Sequence, residues 1–337
     1  MRQSGKSAAA GGRLGKVLIV GLCLVSWGVA APGPEPVIQK AANYIEWGRL
    51  KEARSLLATA VAQPANAGNA PLLAYYGHVL ASFGDLRQSL KMTKRSVKLD
   101  PKCASCRLYL FESMAKRAKR MNEFHAMLQL PKMKKQLKTA EQLNPNLGDV
   151  QWGWIDLDLV LPRAAGGGTQ KAIAHAQRLR QLDPVDGRLA LASIYNKTGE
   201  PGQALAEFRA AARNHPQDPR GVFALGQALF ERRQYAAAAP YLARALEMNA
   251  RSALYTAYRA ADLVYLNHLE QARGVIGAAR ALFPDSRLAD YLVAQALQVT
   301  GQDFTWARQL LASYLSVPPE PRQPTAQEAR SLLAKLG

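Results

Sequence analysis

From Leu182 to Pro318 the same residue types return every 34 positions. Ala192 is followed by Gly226, Ala260 and Ala294; Tyr195 by Leu229, Leu263 and Leu297; Ala204 by Ala238 and Ala272; Phe208 by Leu242, Ile276 and Leu310; Ala211 by Ala245, Ala279 and Ser313. Units close on a breaker at Pro184, Pro216, Pro284 and Pro318, with Ala250 in the equivalent place. A fixed period of this length predicts stacked copies of one supersecondary unit, because no single copy can bury its apolar face alone.

Within Asp186–Pro216 the apolar residues Leu189, Ala192 and Tyr195, then Ala204, Leu205, Phe208 and Ala211, keep helical spacing on either side of Lys197-Thr198-Gly199-Glu200-Pro201. The spacing predicts helix, turn, helix. Small residues at 192 and 204 allow close backbone approach, Phe208 fills the volume between the helices, and Ala211 leaves room for the next unit. The period and its columns resemble the tetratricopeptide repeat. That resemblance and the stacking argument imply an all-α fold: an α-solenoid of about eight helix-turn-helix units, with a curved inner surface that binds a protein or peptide partner.

Residues 1–30 read as a signal peptide. Arg2, Lys6, Arg13 and Lys16 precede the apolar run Val17–Ala30, and Gly28 and Ala30 offer a cleavage site before Ala31. A periplasmic or envelope location follows, with an uncleaved N-terminal anchor as the alternative. Residues 31–36 read as a linker, 37–101 as two units with turns at Gly48 and Gly84, 102–184 as two irregular units, and 185–318 as four regular ones. Residues 319–337 hold a linker and a capping helix, Ala326–Leu336. In the irregular segment one insertion is expected around Lys116–Pro131 and another at Pro162–Thr169, with second helices over Lys132–Asn144 and Gln170–Asp183. Trp306 stands where alanine is expected, which predicts a one-residue slip near Asp303. The Pro162–Gly168 insertion and the helix opening Lys171-Ala172 are similar to exported repeat subunits that accompany TRAP-type solute transporters, so an accessory role in solute uptake is the alternative function.

The formal charge of +19 is concentrated: fifteen basic residues lie between Arg87 and Lys138, against Asp100, Glu112 and Glu123. Arg87, Lys91, Lys94 and Lys98 keep one helical face and form a stripe, either a solvated face or a contact for an anionic membrane surface or acidic protein. Export argues against nucleic acid as a partner.

With Cys23 in the leader, Cys103 and Cys106 remain. Asp100-Pro101 reads as the cap of a helix that carries both, and their spacing is compatible with a disulfide. A structural bridge or quiet thiols, a thiol-redox pair and a metal site are the readings open to them; zinc would require two further ligands. Trp152 and Trp154 are expected to pack between units. Asp156 and Asp158 point to different helix faces, the Gly166-Gly167-Gly168 loop lacks the ending and the preceding strand of a phosphate loop, and the five histidines have no ligand or triad spacing. The residues give no reason to expect catalysis, a metal or a cofactor.

The resemblance also implies a register. In the repeat family the second, fifth and ninth positions of each first helix line the inner face. Here these are Asp186, Leu189 and Ser193; Arg220, Phe223 and Gln227; Leu254, Ala257 and Ala261; Leu288, Tyr291 and Gln295. Phe223 and Tyr291 are expected to anchor a partner, Arg220 to make a charge contact, and Ser193, Gln227 and Gln295 to complete the surface.

Overall fold

The structure is a computed structural model that describes residues 34–321 and 323–337. The expected leader lies outside the described residues. Sixteen α-helices form eight antiparallel pairs: α1 (Pro34–Glu46) with α2 (Leu50–Ala62), α3 (Ala70–Ser82) with α4 (Leu86–Leu99), α5 (Ala104–Ala118) with α6 (Glu123–Leu143), and α7 (Gly148–Val160) with α8 (Thr169–Leu182). The regular units follow as α9 (Pro184–Lys197) with α10 (Pro201–Asn214), α11 (Pro219–Glu231) with α12 (Tyr235–Met248), α13 (Ala253–Tyr265) with α14 (Leu269–Leu282), and α15 (Leu288–Thr300) with α16 (Phe304–Leu315). Helix α17 (Ala326–Ala334) opens on a capping box between Thr325 and Glu328 and seals the last pair with Ala329, Leu332 and Leu336.

The small-residue columns are where the two helices of a unit cross. Ala192, Ala204 and Ala211 are fully buried, and so are their counterparts Ala260, Ala294, Ala238, Ala272 and Ala245. The approach is too close for larger groups: a methyl at Gly77 would stand 2.6 Å from Thr93 Cγ2, and one at Gly226 would stand 2.9 Å from Leu242 Cδ2.

Turns repeat as strictly as cores. Gly199, Arg233, Asn267 and Gly301 all have positive φ (81°, 59°, 61° and 71°), 34 residues apart, and each passes the chain from the first helix of its unit towards the second. In the first three units of this series one residue separates this position from the second helix. In the last, Gln302 and Asp303 both intervene, and Asp303 also has positive φ (32°) while its carboxylate accepts the Trp306 N–H. That extra residue is the expected slip, and it brings Trp306 into the core under the Arg273 guanidinium, 4.1 Å from the ring centre.

Two local expectations need correction. Helix α6 does not start at Lys132: the segment Glu123–Pro131 is itself helical, capped by Asn122, and α6 runs straight through Pro131. Proline there removes one N–H, and Pro131 and Met127, a turn earlier, both lie on an exposed part of the helix where water can satisfy a freed carbonyl. Asp100 does not cap α5 either. It closes α4 and accepts the Lys102 N–H, so the helix begins one turn later with Cys103 as its cap. Cys103 and Cys106 are joined by a disulfide with Cα atoms 5.3 Å apart, and Cys106 is fully buried.

The first unit folds back onto the later ones. The Leu254 N–H donates to the Trp47 carbonyl at 3.3 Å, the Arg49 guanidinium lies over the Phe283 ring, and Lys51 Nζ donates to the Asp285 carbonyl. Glu320, only 3% exposed, accepts the N–H groups of Leu50 (3.0 Å) and Lys51 (3.1 Å) and so caps α2 from a point 270 residues away. The solenoid therefore closes on itself through the α1–α2 turn.

Two measurements test these features. Arg233 adopts a conformation that costs a side-chain-bearing residue energy, so Arg233→Gly should raise thermal stability by about 1 kcal/mol, and Asn267→Gly should gain less because asparagine tolerates that region. Unchanged or lower stability for Arg233→Gly would contradict the account of the turn. The second concerns Glu320, whose carboxyl burial pushes up to about 6 against the pull of the two N–H groups and Lys51. Its folded-state value lies above the ordinary 4.5, so this contribution to stability is fully present below about pH 4.5 and is lost as pH rises through about 6. Between pH 5 and 7 the wild type should lose about 1 kcal/mol relative to Glu320→Gln, whose amide does not titrate. Parallel melting profiles of the two proteins would refute the coupling.

Candidate functional site

The inner-face positions expected in the regular units are largely used by the protein itself. Phe223 is 5% exposed; its ring stacks on Tyr255 with centroids 4.3 Å apart and meets Tyr258 edge-on at 5.5 Å. Tyr291 is 7% exposed and packs against Tyr314. Leu254 lies against Gly48 of the folded-back first unit, and Ala257 and Ala261 are fully buried. Gln227 donates to the Tyr258 hydroxyl at 3.0 Å and to Glu231 at 2.8 Å, and Ser193 is half-buried. Of the six residues singled out, only Gln295 is exposed. The correction is physical: aromatic rings of neighbouring units and the first unit's turn reach most of these side chains first.

Arg220 is held as well as placed. Its guanidinium donates to Asp218 (2.6 Å) and to Asp183 (2.9 Å), and Glu46 of the first unit shares a hollow with it. The two carboxylates raise the Arg220 pKa although burial opposes them. Burial works against the Asp183 carboxylate too, but Arg220 and the N–H groups of Asp186 and Val185 hold it below its ordinary value. Glu46 moves the other way, raised by burial with Arg220 opposing. This cluster joins adjacent units and the first one; it is a clamp rather than a waiting charge contact.

The accessible site lies in the irregular units. Helices α6 and α7 touch over a short stretch only, whereas α8–α9 and α10–α11 pack much more extensively. A groove of about 690 Å³ opens there, between α5, the helical extension at the start of α6, and α7. Phe111, Met127, Leu130, Met133, Leu157 and Val160 supply its apolar lining. Lys119, Glu123 and Asp156 stand among its polar residues. Val160 is 68% exposed and Met127 47%, and on the other face of the extension Phe124 is 70% and Leu128 56% exposed. Apolar side chains this exposed and this close together mark a surface that associates. Trp152 lines one end of the groove and donates its indole N–H to Asp186 at 2.9 Å, while Trp154 donates to Glu141 and stacks on His175. Both tryptophans thus bridge units, as expected.

Of the groove's apolar lining, the sequence pattern marks Trp152 but not Phe111, Met127, Leu130, Met133, Leu157 or Val160. Their signal was present: Glu123, Ala126, Met127, Leu130 and Met133 keep one helical face, but the proline at 131 reads as a boundary and hides the helix before it.

The other candidates are placed as follows. Arg87, Lys91, Lys94 and Lys98 are exposed on α4, whose Ser89, Leu90, Thr93 and Ser96 are buried. The Cys103–Cys106 bridge is sealed from an attacking thiolate by burial of both residues, which limits exchange. Among the described residues no group of His, Cys, Asp or Glu is arranged to hold a metal ion, and no helix is long and apolar enough to cross a membrane.

Comparison with known proteins agrees with this architecture. The tetratricopeptide repeat family matches residues 157–219 and 189–253. The crystal structure of yeast Tom70 superposes with a TM-score of 0.58 at 14% identity, covering 91% of this chain and 64% of that one, so the present chain spans somewhat under two thirds of that structure. A tetratricopeptide protein of Thermus thermophilus, TTC0263, superposes with a TM-score of 0.48 at 20% identity over 59% of this chain and 100% of its own. YrrB, described as a tetratricopeptide protein with an unusual peptide-binding site, gives 0.38 at 19% identity over 58% of this chain and 97% of its own. No curated protein matches the sequence. At these identities the likeness is one of fold. The tetratricopeptide repeat match covers residues 157–253, the 34-residue columns and the helix pairs that realise them carry the same pattern beyond it, and the described residues fold as an all-helical solenoid.

Proposed function

We propose that this protein is a non-enzymatic interaction scaffold of the bacterial cell envelope, and that it holds an apolar segment of a partner protein in the groove between α5, α6 and α7. Stacked tetratricopeptide units serve as scaffolds for protein–protein contacts. The observation that carries the choice of site is the exposure of Met127 and Val160 on facing walls of a 690 Å³ groove. Leaving such side chains in water costs free energy that a partner's apolar residues would recover, at roughly 25 cal/mol per Å² covered. A peptide offering two or three apolar side chains matches a trough of this volume. The envelope location rests on the tripartite N-terminal leader, and N-terminal sequencing of the native protein tests it: an intact Met1 on a cytosolic protein would overturn it.

The groove itself is tested with a photo-crosslinking residue at position 127 in the native envelope fraction. It should capture a discrete partner, and the same residue at Gln295 should not. Met127→Asp with Val160→Asp should weaken that partner by about 2 kcal/mol, roughly thirtyfold, with the helical signal intact. By contrast Phe223→Ala should cost about 3 kcal/mol of stability, as loss of a packed aromatic ring does. Capture at position 295 in preference to 127, or normal binding by the double aspartate variant, would move the site back to the regular units.

A further inference from the structure

The basic stripe on α4 is not a uniform face. Arg87, Lys91 and Lys94 turn towards the end of α5, where Arg117 joins them around a hollow of about 440 Å³ floored by Leu86 and Leu90. Lys98, the fourth member of the stripe, lies outside it. No carboxylate lines this hollow, and none of the ion pairs among the described residues involves these four cations. Asp85, the acidic residue nearest in sequence, is occupied in capping α4 through the Gln88 N–H. The hollow continues past Lys94 and Arg117 into a smaller one of about 90 Å³, lined by Met114, Met121 and Gln129 together with Leu90.

Three cations side by side on α4 with Arg117 of α5 across from them repel, and a solvated surface has no reason to gather them around one hollow. An anion removes that cost. Two guanidinium forks and two ammonium groups offer more donors than one carboxylate can accept, whereas a phosphate group presents several charged oxygens to them at once. The apolar extension lined by Met114 and Met121 suits a hydrocarbon portion attached to that phosphate. We infer that Arg87, Lys91, Lys94 and Arg117 form a binding site for a phosphate ester, as the headgroup of an anionic phospholipid or as a free small molecule. The site is independent of the apolar groove, and neither needs the other to be right.

The full chain is mixed with phosphatidylcholine vesicles with and without phosphatidylglycerol, and separately titrated with glycerol 3-phosphate. Charge reversal at one cation changes two units of charge, so Lys94→Glu and Arg117→Glu should each weaken binding by about thirtyfold. Lys98→Glu makes the same change in net charge outside the hollow and should weaken it by less than about threefold. Binding to the anionic vesicles alone, with that pattern, supports a lipid source; binding of glycerol 3-phosphate alone, with that pattern, supports a free ester. The inference is overturned if wild type binds neither probe, or if Lys98→Glu is as damaging as Arg117→Glu. Lys94→Gln, which removes charge without adding any, should fall between wild type and Lys94→Glu; a normal Lys94→Gln would likewise count against the site.

Discussion

Every feature of this molecule depends on how closely the two helices of a unit approach. The contact is made by alanine and glycine, and at Gly77 even a methyl group would collide with Thr93. Close approach brings the larger residues of the second helix, Leu242 and Leu310 among them, into full burial beside the crossing point, where dispersion contacts are densest. It also fixes the angle at which each hairpin leaves its neighbour.

This constraint explains why the regular part was legible. A residue type required at each crossing point returns at the crossing interval, so the helix pairs from Pro184 to Leu315 could be read from composition by column. The positive-φ residue of each turn follows the same interval, although Arg233 and Asn267 disguise it where glycine would announce it. Three things escaped. The start of α6 was hidden because proline at 131 is tolerated at the cost of one hydrogen bond on an exposed face. Phe223 and Tyr291 stand at positions expected to line an inner face, but such a register does not say whether Tyr255 and Tyr314 will cover them. The contact of Glu320 with the start of α2 spans 270 residues and leaves no local trace.

The helical extension Glu123–Pro131 then organises the part of the surface that remains open. Met127 and Leu130 on one side form a wall of the apolar groove, while Gln129 borders the hollow beneath Lys94 and Arg117. One insertion of little more than two turns thus stands between an apolar surface and a cationic one. The basic excess that dominates the composition is gathered on the second and third units, and the regular units that stabilise the array carry paired charges such as Arg220 with Asp183 and Arg188 with Glu207.

Closure by the first unit changes the mechanics of the whole. An open array of helical hairpins behaves as a spring, lengthening and unwinding by small rotations shared among its joints, and many binding modes exploit that compliance. Here the α1–α2 turn is bolted to Leu254, Phe283 and Glu320, so extension requires rupture at a definite place rather than a gradual yield. The two ends, where a linear stack would fray, hold each other in place, so loss of the Glu320 contact frees the first unit and the last at once.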